Sequence, residues 1–467
     1  MKMKKLLAVV LSVVTAAGMV GGCSQNKETA ADGQVVIRVG GWPLETDEKA
    51  YAAKMEIKEE FEKTYPDIKI VPDEWGFDLD TFLPKAVSGQ LPDIYITSFT
   101  EIKRIIQSGY ACDISEYMEK YKYTEYLRDD IIDLISDENG GIYAVPKSSY
   151  AMGLMINMNL FTQAGLVNDD GTPMVPKTWE DVTKFSKIIK EKTGKPGFGM
   201  STMNNVGGWH FLNLAWGYGT NKEFVRQENG KWIADFATPE CIEALQFVKD
   251  LRWVHGATPD NALLDFDEMY KMFATDQLAM IIASPPLNAL FDQYGMTNTD
   301  AAAVKMPAGP AGRFAQIGGE IQVMKNGLTD EQIDACFKWL EFNGVTPEVS
   351  EERKKNIDTE YRIQNEKGYV VGIRKYSMWK ADNVPPVRQY EEECIDKYTN
   401  VNPVLWKDYA DFGEVTVVPE PPISCQQLYS LLDGCIQSVF ADENADPKSL
   451  LEEAANNYQV NYLDKEK

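Results

Sequence analysis

The sequence predicts an α/β fold in which helices cover a largely parallel sheet. Short apolar segments of strand type alternate along the 467-residue chain with longer segments that carry apolar residues at helical spacing. This alternation is typical of parallel sheets, because the chain crosses back over the sheet between neighbouring strands. The length and a hydrophobic content of 44% provide enough apolar surface for two or more domains.

The alternation can be followed element by element. Predicted strands are 35–39, 68–71, 93–98, 151–157 and 278–284. Predicted helices are 51–65, 79–88, 101–109, 178–194, 241–256, 331–344 and 447–463. Thr178 has the side chain of a helix N-cap, and Gly194 suits a C-terminal cap. Residues 346–412 are the least regular stretch and indicate an insertion with its own turns.

Charge and composition exclude several classes of protein. A formal net charge of −24 repels nucleic acid, so no nucleic-acid partner is expected. The chain has two histidines and neither an HExxH motif nor paired CxxC motifs, which argues against a metal site. Nucleophile elbows, P-loops and dinucleotide fingerprints are also absent. We therefore expect no catalytic residue, no metal and no cofactor.

The cysteines leave two interpretations open. Seven are present, and six of them lie beyond the N-terminal region: Cys112, Cys241, Cys336, Cys394, Cys425 and Cys435. An even number outside the cell permits disulfides, whereas a core of this size does not require them. Disulfides and buried free thiols are both compatible with the sequence.

The N-terminal region has the pattern of an export signal. Lysines precede an apolar run at 6–20 that is short for a membrane-spanning helix. Residues 20–23, "VGGC", resemble a bacterial lipobox, and this resemblance implies an acylated Cys23 on the outer face of the cytoplasmic membrane, in an extracellular or periplasmic location. Residues 1–22 would be the signal peptide and 23–33 a lipidated tether. An ordinary signal peptide with an incidental cysteine is the alternative.

The predicted strand ends supply candidate ligand-binding residues. Ligands of open α/β sheets bind outside the carboxyl ends of the strands, where loops present side chains. Trp42, Trp75, Thr100 and Glu101 follow three predicted strands in this way, and Ser98 ends the third of them. Tryptophan faces suit sugar rings, and the polar groups suit hydroxyls. Trp42 and Trp75 could also belong to the core, and Glu101 could be solvated or salt-bridged.

Several segments, in order, resemble the extracellular solute-binding proteins of ABC importers, family 1. They are "IKEEFEKTYPDIKI", "SGQLPDIYITS", "GGIYAVPKSSYAMGLMINMNLFTQAGL", "VPKTWEDVTKFSKII" and "FATDQLAMIIASPP". The resemblance implies a two-lobe periplasmic-binding-protein-like fold, in which each lobe is a central sheet flanked by helices and a hinge joins the lobes. Lobe one would be 34–147 plus 287–345, and lobe two 148–286 plus 346–467. Closure of the lobes around a ligand would be the working motion.

The resemblance adds four ligand-binding candidates: Tyr150, Asn204, Glu320 and Tyr429. Tyr150 follows the expected crossover between lobes, and Glu320 lies near the hinge, where a solvated or salt-bridged role is the alternative. We expect Trp209 and Trp216, which lie in an apolar run, to be core residues.

The favoured function is capture of a small solute, with a sugar or oligosaccharide as the favoured class. The resemblance implies that a monomer delivers this solute to the permease subunits of an ABC importer. The alternatives are a secreted carbohydrate-active enzyme and a surface glycan adhesin or sensor.

Overall fold

The structure is a computed structural model that describes residues 33–465 apart from 286, 288, 289, 292, 298, 375 and 412. The predicted signal peptide and Cys23 lie outside the described residues. Within the described ranges, no helix combines the length and apolar character that crossing a membrane requires.

Strands and helices alternate much as the periodicity predicts. The strands are β1 Val35–Val39, β2 Ile68–Pro72, β3 Ile94–Ser98, β4 Ala144–Pro146, β5 Tyr150–Ala151, β6 Gly153–Asn157, β7 Phe198–Gly199, β8 Val225–Glu228, β9 Lys231–Ala234, β10 Met280–Ala283, β11 Ala301–Lys305, β12 Phe314–Gly318, β13 Glu320–Met324 and β14 Thr416–Val418. The α-helices are Glu48–Thr64, Leu79–Val87, Ile102–Gln107, Ser115–Lys120, Tyr123–Tyr126, Asp129–Leu134, Met158–Ala164, Trp179–Thr193, Val206–Tyr218, Pro239–Trp253, Phe266–Ala274, Asp330–Phe342, Glu351–Glu366, Pro386–Tyr398, Lys407–Ala410, Cys425–Ala441 and Pro447–Asn461. Short 3₁₀-helices cover Pro403–Trp406 and Leu463–Lys465.

The first lobe is built on a five-stranded sheet with the order β2-β1-β3-β13-β4. β1 is parallel to β2 and β3, whereas β13 is antiparallel to β3 and β4. Helices cover this sheet with buried aromatic side chains such as Phe61 and Trp339.

The second lobe contains a four-stranded sheet, β11-β6-β10-β7, and a three-stranded sheet, β14-β12-β5. β6 is buried along its whole length. The predicted single strand 151–157 is divided here, because β5 and β6 belong to different sheets. The helix Trp179–Thr193 has the predicted caps: Thr178 forms a capping box with Asp181, and Gly194 is left-handed at the C-terminus.

Among the described residues the chain crosses between the lobes three times, the last time between β13 and β14, and the first two crossovers are adjacent. One joins β4 to β5 through residues 147–149, and the other joins β12 to β13 through Gly319. The backbone N–H groups of Lys147 and Ser148 donate to the carbonyl oxygen of Glu320 at 2.8 and 3.2 Å. Gly319 has a φ of 148°, and a Cβ there would lie 2.0 Å from the Ser148 carbonyl oxygen. Only glycine therefore allows the two crossovers to lie so close together.

Two segments pack differently from the predicted lobe boundaries. The predicted lobe one includes residues 301–318, but these carry β11, which pairs antiparallel with β6, and β12, which pairs with β5 and β14 of the second lobe. The small side chains of Ala301–Ala303 fit beside the buried strand β6.

The second difference concerns the insertion at 346–412, which was placed in lobe two and expected to be irregular. It contains the helices Glu351–Glu366 and Pro386–Tyr398. Its residues 376–380 pack on the first lobe: Trp379 forms a β-bridge with Leu127, and the Arg128 N–H donates to the Met378 carbonyl at 3.0 Å. Backbone pairing with the first lobe therefore holds this part of the insertion.

Of the two interpretations of the six cysteines, the structure supports free thiols. Cys112 is half-buried, and Cys241, Cys336, Cys394, Cys425 and Cys435 are buried, all as free thiols.

Candidate functional site

A polar group of side chains, here called the Glu420 cluster, lies where the two lobes meet. Its members are Thr100, Trp209, Gln316 and Glu420. The indole N–H of Trp209 donates to Oε1 of Glu420 at 2.6 Å, and the Gln316 amide donates to the same oxygen at 3.3 Å. The Thr100 hydroxyl donates to Oε2. One carboxylate thus accepts hydrogen bonds from both lobes.

Each member follows or belongs to an element that fixes its position. Thr100 comes two residues after β3 of the first lobe, and Glu420 two residues after β14 of the second. Gln316 lies in β12, where its backbone N–H donates to Asn213 Oδ1 at 2.7 Å. Thr100 and Glu420 therefore lie at strand ends, where a ligand of an α/β protein is expected.

The position of Trp209 is fixed by hydrogen bonds between its own helix, Val206–Tyr218, and the helix Cys425–Ala441. Asp433, from the helix Cys425–Ala441, accepts hydrogen bonds from the backbone N–H groups of Asn205 and Gly208, both at 2.7 Å. A carboxylate at the start of the helix Val206–Tyr218 satisfies N–H groups that have no partner within that helix. Gly208 allows this contact, since a Cβ there would lie 2.3 Å from the Tyr429 carbonyl oxygen.

Burial changes the acidity of the carboxyl groups around the cluster. It raises the pKa of Glu101 to about 7, with a smaller raising effect from Glu420 and a lowering effect from Arg104. Burial also raises the pKa of Glu420, although hydrogen bonds from Thr100 and Trp209 oppose this. The pKa of Tyr150 rises to about 12, first through burial and then through the charge of Glu420. An ionised carboxylate between the lobes is therefore unfavourable unless hydrogen-bond donors stabilise its charge.

This cost predicts a pH dependence of stability. Because the pKa of Glu101 is raised above its ordinary value of 4.5, the contribution of this group to stability is present below that value and is lost as the pH rises through about 7. The melting temperature of the wild type, measured relative to that of Glu101→Gln, should therefore fall between pH 5 and pH 8. Glu119→Gln, on an exposed position, is the control. A difference that stays constant over this range would contradict the raised pKa.

Some of the predicted binding residues lie at or next to the cluster. Thr100 belongs to it, and Glu101 is adjacent. Tyr150 is half-buried, and Tyr429 is buried with its pKa well above the usual range through burial and the charge of Glu420. Ser98 pairs with Glu320 across β3 and β13. A direct role of these residues in binding stays a prediction.

Trp42 does not offer the open stacking face that was expected. Its side chain is 2% exposed, and its ring stacks on Trp339 with 6.2 Å between centroids. Trp339 in turn contacts Phe61 edge to face. The loop after β1 turns this indole into the core of the first lobe, so the core alternative applies to Trp42.

Trp75 differs from Trp42 because it is only partly buried. Its indole N–H donates to the Thr81 hydroxyl at 3.0 Å, and its ring packs edge to face on Tyr95 with 5.6 Å between centroids. Its role as a ligand contact stays a prediction.

The two other candidates are exposed. Asn204 has a left-handed backbone with a φ of 59° just before the helix Val206–Tyr218. Glu320 pairs with Lys147 at 2.8 Å, so the salt-bridged alternative holds for it. An exposed pair of this kind contributes little to stability.

Sequence reasoning missed Gln316 and Glu420 and assigned Trp209 to the core. Trp216 is indeed buried at 1% exposure, but Trp209, seven residues earlier, is half-buried and points its N–H at Glu420. The signal that could have found Glu420 is its place just after a short β-type segment, "TVVPE".

The cluster suits hydrogen bonding to a neutral polar ligand better than it suits metal binding. Over the described residues, no group of three or more His, Cys, Asp or Glu side chains could hold a metal ion. His210, beside Trp209, is buried, and burial lowers its pKa to about 3. The cluster offers one carboxylate, one indole face, an amide and a hydroxyl.

Comparison with known families identifies the chain. The family model of the bacterial extracellular solute-binding proteins matches residues 45–345. The chain belongs to this family. The match includes four of the five strands of the first-lobe sheet, β2, β3, β4 and β13, and the crossovers at 147–149 and at Gly319, while β1 and Glu420 lie outside it.

Curated relatives include two proteins of Bacillus subtilis and one of Pyrococcus horikoshii. Lipoprotein LipO is 28% identical over 271 residues, which is 55% of this chain and 52% of LipO. The ABC transporter extracellular-binding protein PH1214 is 24% identical over 65% of this chain and 68% of its own length. The melibiose/raffinose/stachyose-binding protein MelE is 24% identical over 37% of each chain. The chain therefore spans about half the length of LipO.

Solved structures share the fold over nearly the whole chain. A solute-binding protein of an ABC transporter from Thermotoga lettingae, bound with α-D-tagatose, has a TM-score of 0.59 at 21% identity and covers 91% of this chain and 98% of its own. The cyclic α-maltosyl-1,6-maltose binding protein from Arthrobacter globiformis has a TM-score of 0.60 at 20% identity, with coverage of 92% and 100%. These likenesses confirm the predicted two-lobe α/β fold.

Proposed function

We propose that this solute-binding protein captures a sugar or oligosaccharide between its lobes at the Glu420 cluster and delivers it to the permease of an ABC importer. The observation that carries the proposal is the meeting of donors from both lobes at the Glu420 carboxylate. The binding of tagatose, a cyclic maltosyl maltose and melibiose-type sugars by the relatives named above supports the sugar class.

The chemistry of the cluster matches sugar hydroxyls. A carboxylate accepts two or more hydrogen bonds, and those from hydroxyls to a charged acceptor are among the stronger ones. A sugar hydroxyl would replace the Thr100 hydroxyl on Glu420, while Trp209 keeps the carboxylate in place from the second lobe. The partly exposed Trp209 ring lies beside it as an apolar face for ring C–H groups.

A thermal-shift screen of mono- and oligosaccharides tests this function. A sugar that binds only the folded protein raises the melting temperature by mass action. We expect at least one sugar to do so and to be recovered unchanged after incubation. The second readout matters because the raised pKa of Glu101 is of the kind that a glycosidase acid needs. Cleavage of the sugar would favour the carbohydrate-active enzyme. If none of the sugars raised the melting temperature, the proposal of a sugar ligand would be wrong.

Anchoring through Cys23 is the second part of the proposal. A lipid-modified cysteine after the short apolar run would hold a monomer at the outer face of the membrane, next to the permease. We expect Cys23→Ala to release the protein from the membrane fraction or leave it unprocessed, as measured by fractionation and mass spectrometry. Cys112→Ala is the control. A processed Cys23→Ala protein that stays on the membrane would contradict lipidation.

A further inference from the structure

A cavity separate from the Glu420 cluster lies between the insertion and the first lobe. Its volume is about 500 Å³, within the range of small-molecule sites. The helices Glu351–Glu366 and Pro386–Tyr398 form one side, and the crossover residues 147–149 together with 343–346 form the other. Tyr361 and Trp379 add aromatic walls. The insertion therefore builds a chamber next to the hinge.

Arg353 is the distinctive group in this chamber. Its Nε is fully enclosed and has no hydrogen-bond partner, and in the described part of the chain its guanidinium forms no ion pair. The group lies flat on Gly344: a Cβ there would come within 2.7 Å of Nε and 2.8 Å of Cζ. Gly344 has a φ of 78°, which glycine adopts readily. The backbone at 344 thus makes room for a guanidinium that lacks a partner.

The other charged groups of the wall are already occupied or lie at the rim. Arg388 pairs with Glu391 at 3.2 Å, and Lys147 pairs with Glu320 at 2.8 Å. Glu360 is exposed and accepts a hydrogen bond from Gln364 at 3.3 Å. Among the described residues of the wall, Arg353 forms no ion pair, and its enclosed Nε donor without an acceptor calls for a partner from outside the chain.

We propose that this chamber is a second ligand site, which binds a small polar molecule through its carboxylate or phosphate group on Arg353. A guanidinium presents parallel N–H donors that match either group in a bidentate manner. The aromatic walls would bury the remainder of the molecule. Since residues 147–149 line the chamber, a molecule bound here contacts the crossover that joins β4 to β5.

Calorimetric titration of the mature protein with citrate and, separately, with inorganic phosphate tests the proposal. The two arms distinguish a carboxylate from a phosphate site. We expect saturable binding of at least one anion, at least tenfold weaker binding in Arg353→Gln, and an intermediate affinity in Arg353→Lys, which keeps the charge but loses the planar fork. Arg362→Gln is the matched control, because Arg362 is on the same helix and already pairs with Glu366 at 2.6 Å.

Melting curves and sugar binding by each variant separate a local effect from a loss of fold. Failure of both anions to bind saturably would overturn the proposal, as would equal weakening by Arg353→Gln and Arg362→Gln. With a net charge of −24, the protein repels anions in general, so specific saturation is informative. The outcome of this test does not bear on sugar binding at the Glu420 cluster, since the two sites share no residue.

Discussion

Replacing Trp42 with alanine should lower the free energy of unfolding by about 3–5 kcal/mol, the range for large aromatic side chains removed from a core. The indole is 2% exposed and packs on Trp339, so its loss leaves a cavity beneath the first sheet. Urea denaturation, followed by circular dichroism, measures the change.

Trp253→Ala is the matched control, because Trp253 is 40% exposed and its main polar contact is one hydrogen bond to the Val439 carbonyl at 2.8 Å. We expect a loss of about 1 kcal/mol or less there. A Trp42→Ala protein as stable as wild type, but with weaker sugar binding, would restore Trp42 to the binding site.

The contrast between Trp42 and Trp209 shows what the sequence could predict. Periodicity finds strands such as β1 and helices such as Trp179–Thr193, because their apolar spacing is local. For both tryptophans, however, the neighbouring sequence is compatible with a core position and with a position in the binding site. Which alternative holds depends on distant partners: Trp339 for the first and Glu420, 211 residues away, for the second.

The same reason explains the errors in lobe assignment. Ala301–Lys305 has the composition of a buried strand. Its pairing with β6 depends on the room beside that strand, which the order of segments along the chain does not reveal. The contact between Thr100 and Glu420 spans 320 residues, so no spacing rule reveals it.

Replacing Glu420 with alanine should weaken sugar binding by about tenfold to a hundredfold, since hydrogen bonds to a charged group contribute about 1.5–3 kcal/mol each. The substitution removes the acceptor shared by Thr100, Trp209 and Gln316. Glu420→Gln, which keeps the shape, should lose less. Isothermal titration with the sugar found by thermal shift measures the affinities.

Glu414→Gln is the matched control for this prediction, because Glu414 is exposed and lies before β14 on the same segment. We expect wild-type affinity for it. Unchanged sugar affinity in Glu420→Ala would place the binding site elsewhere, and a large fall in melting temperature without sugar would show that the cluster is structural.

Hydrogen–deuterium exchange with and without a bound sugar tests capture between the lobes most directly. We expect protection in both lobes at once: after β3 near Thr100, at the start of the helix Val206–Tyr218, and near Glu420. Protection confined to one lobe, or found only within the insertion at 346–412, would contradict capture between the lobes.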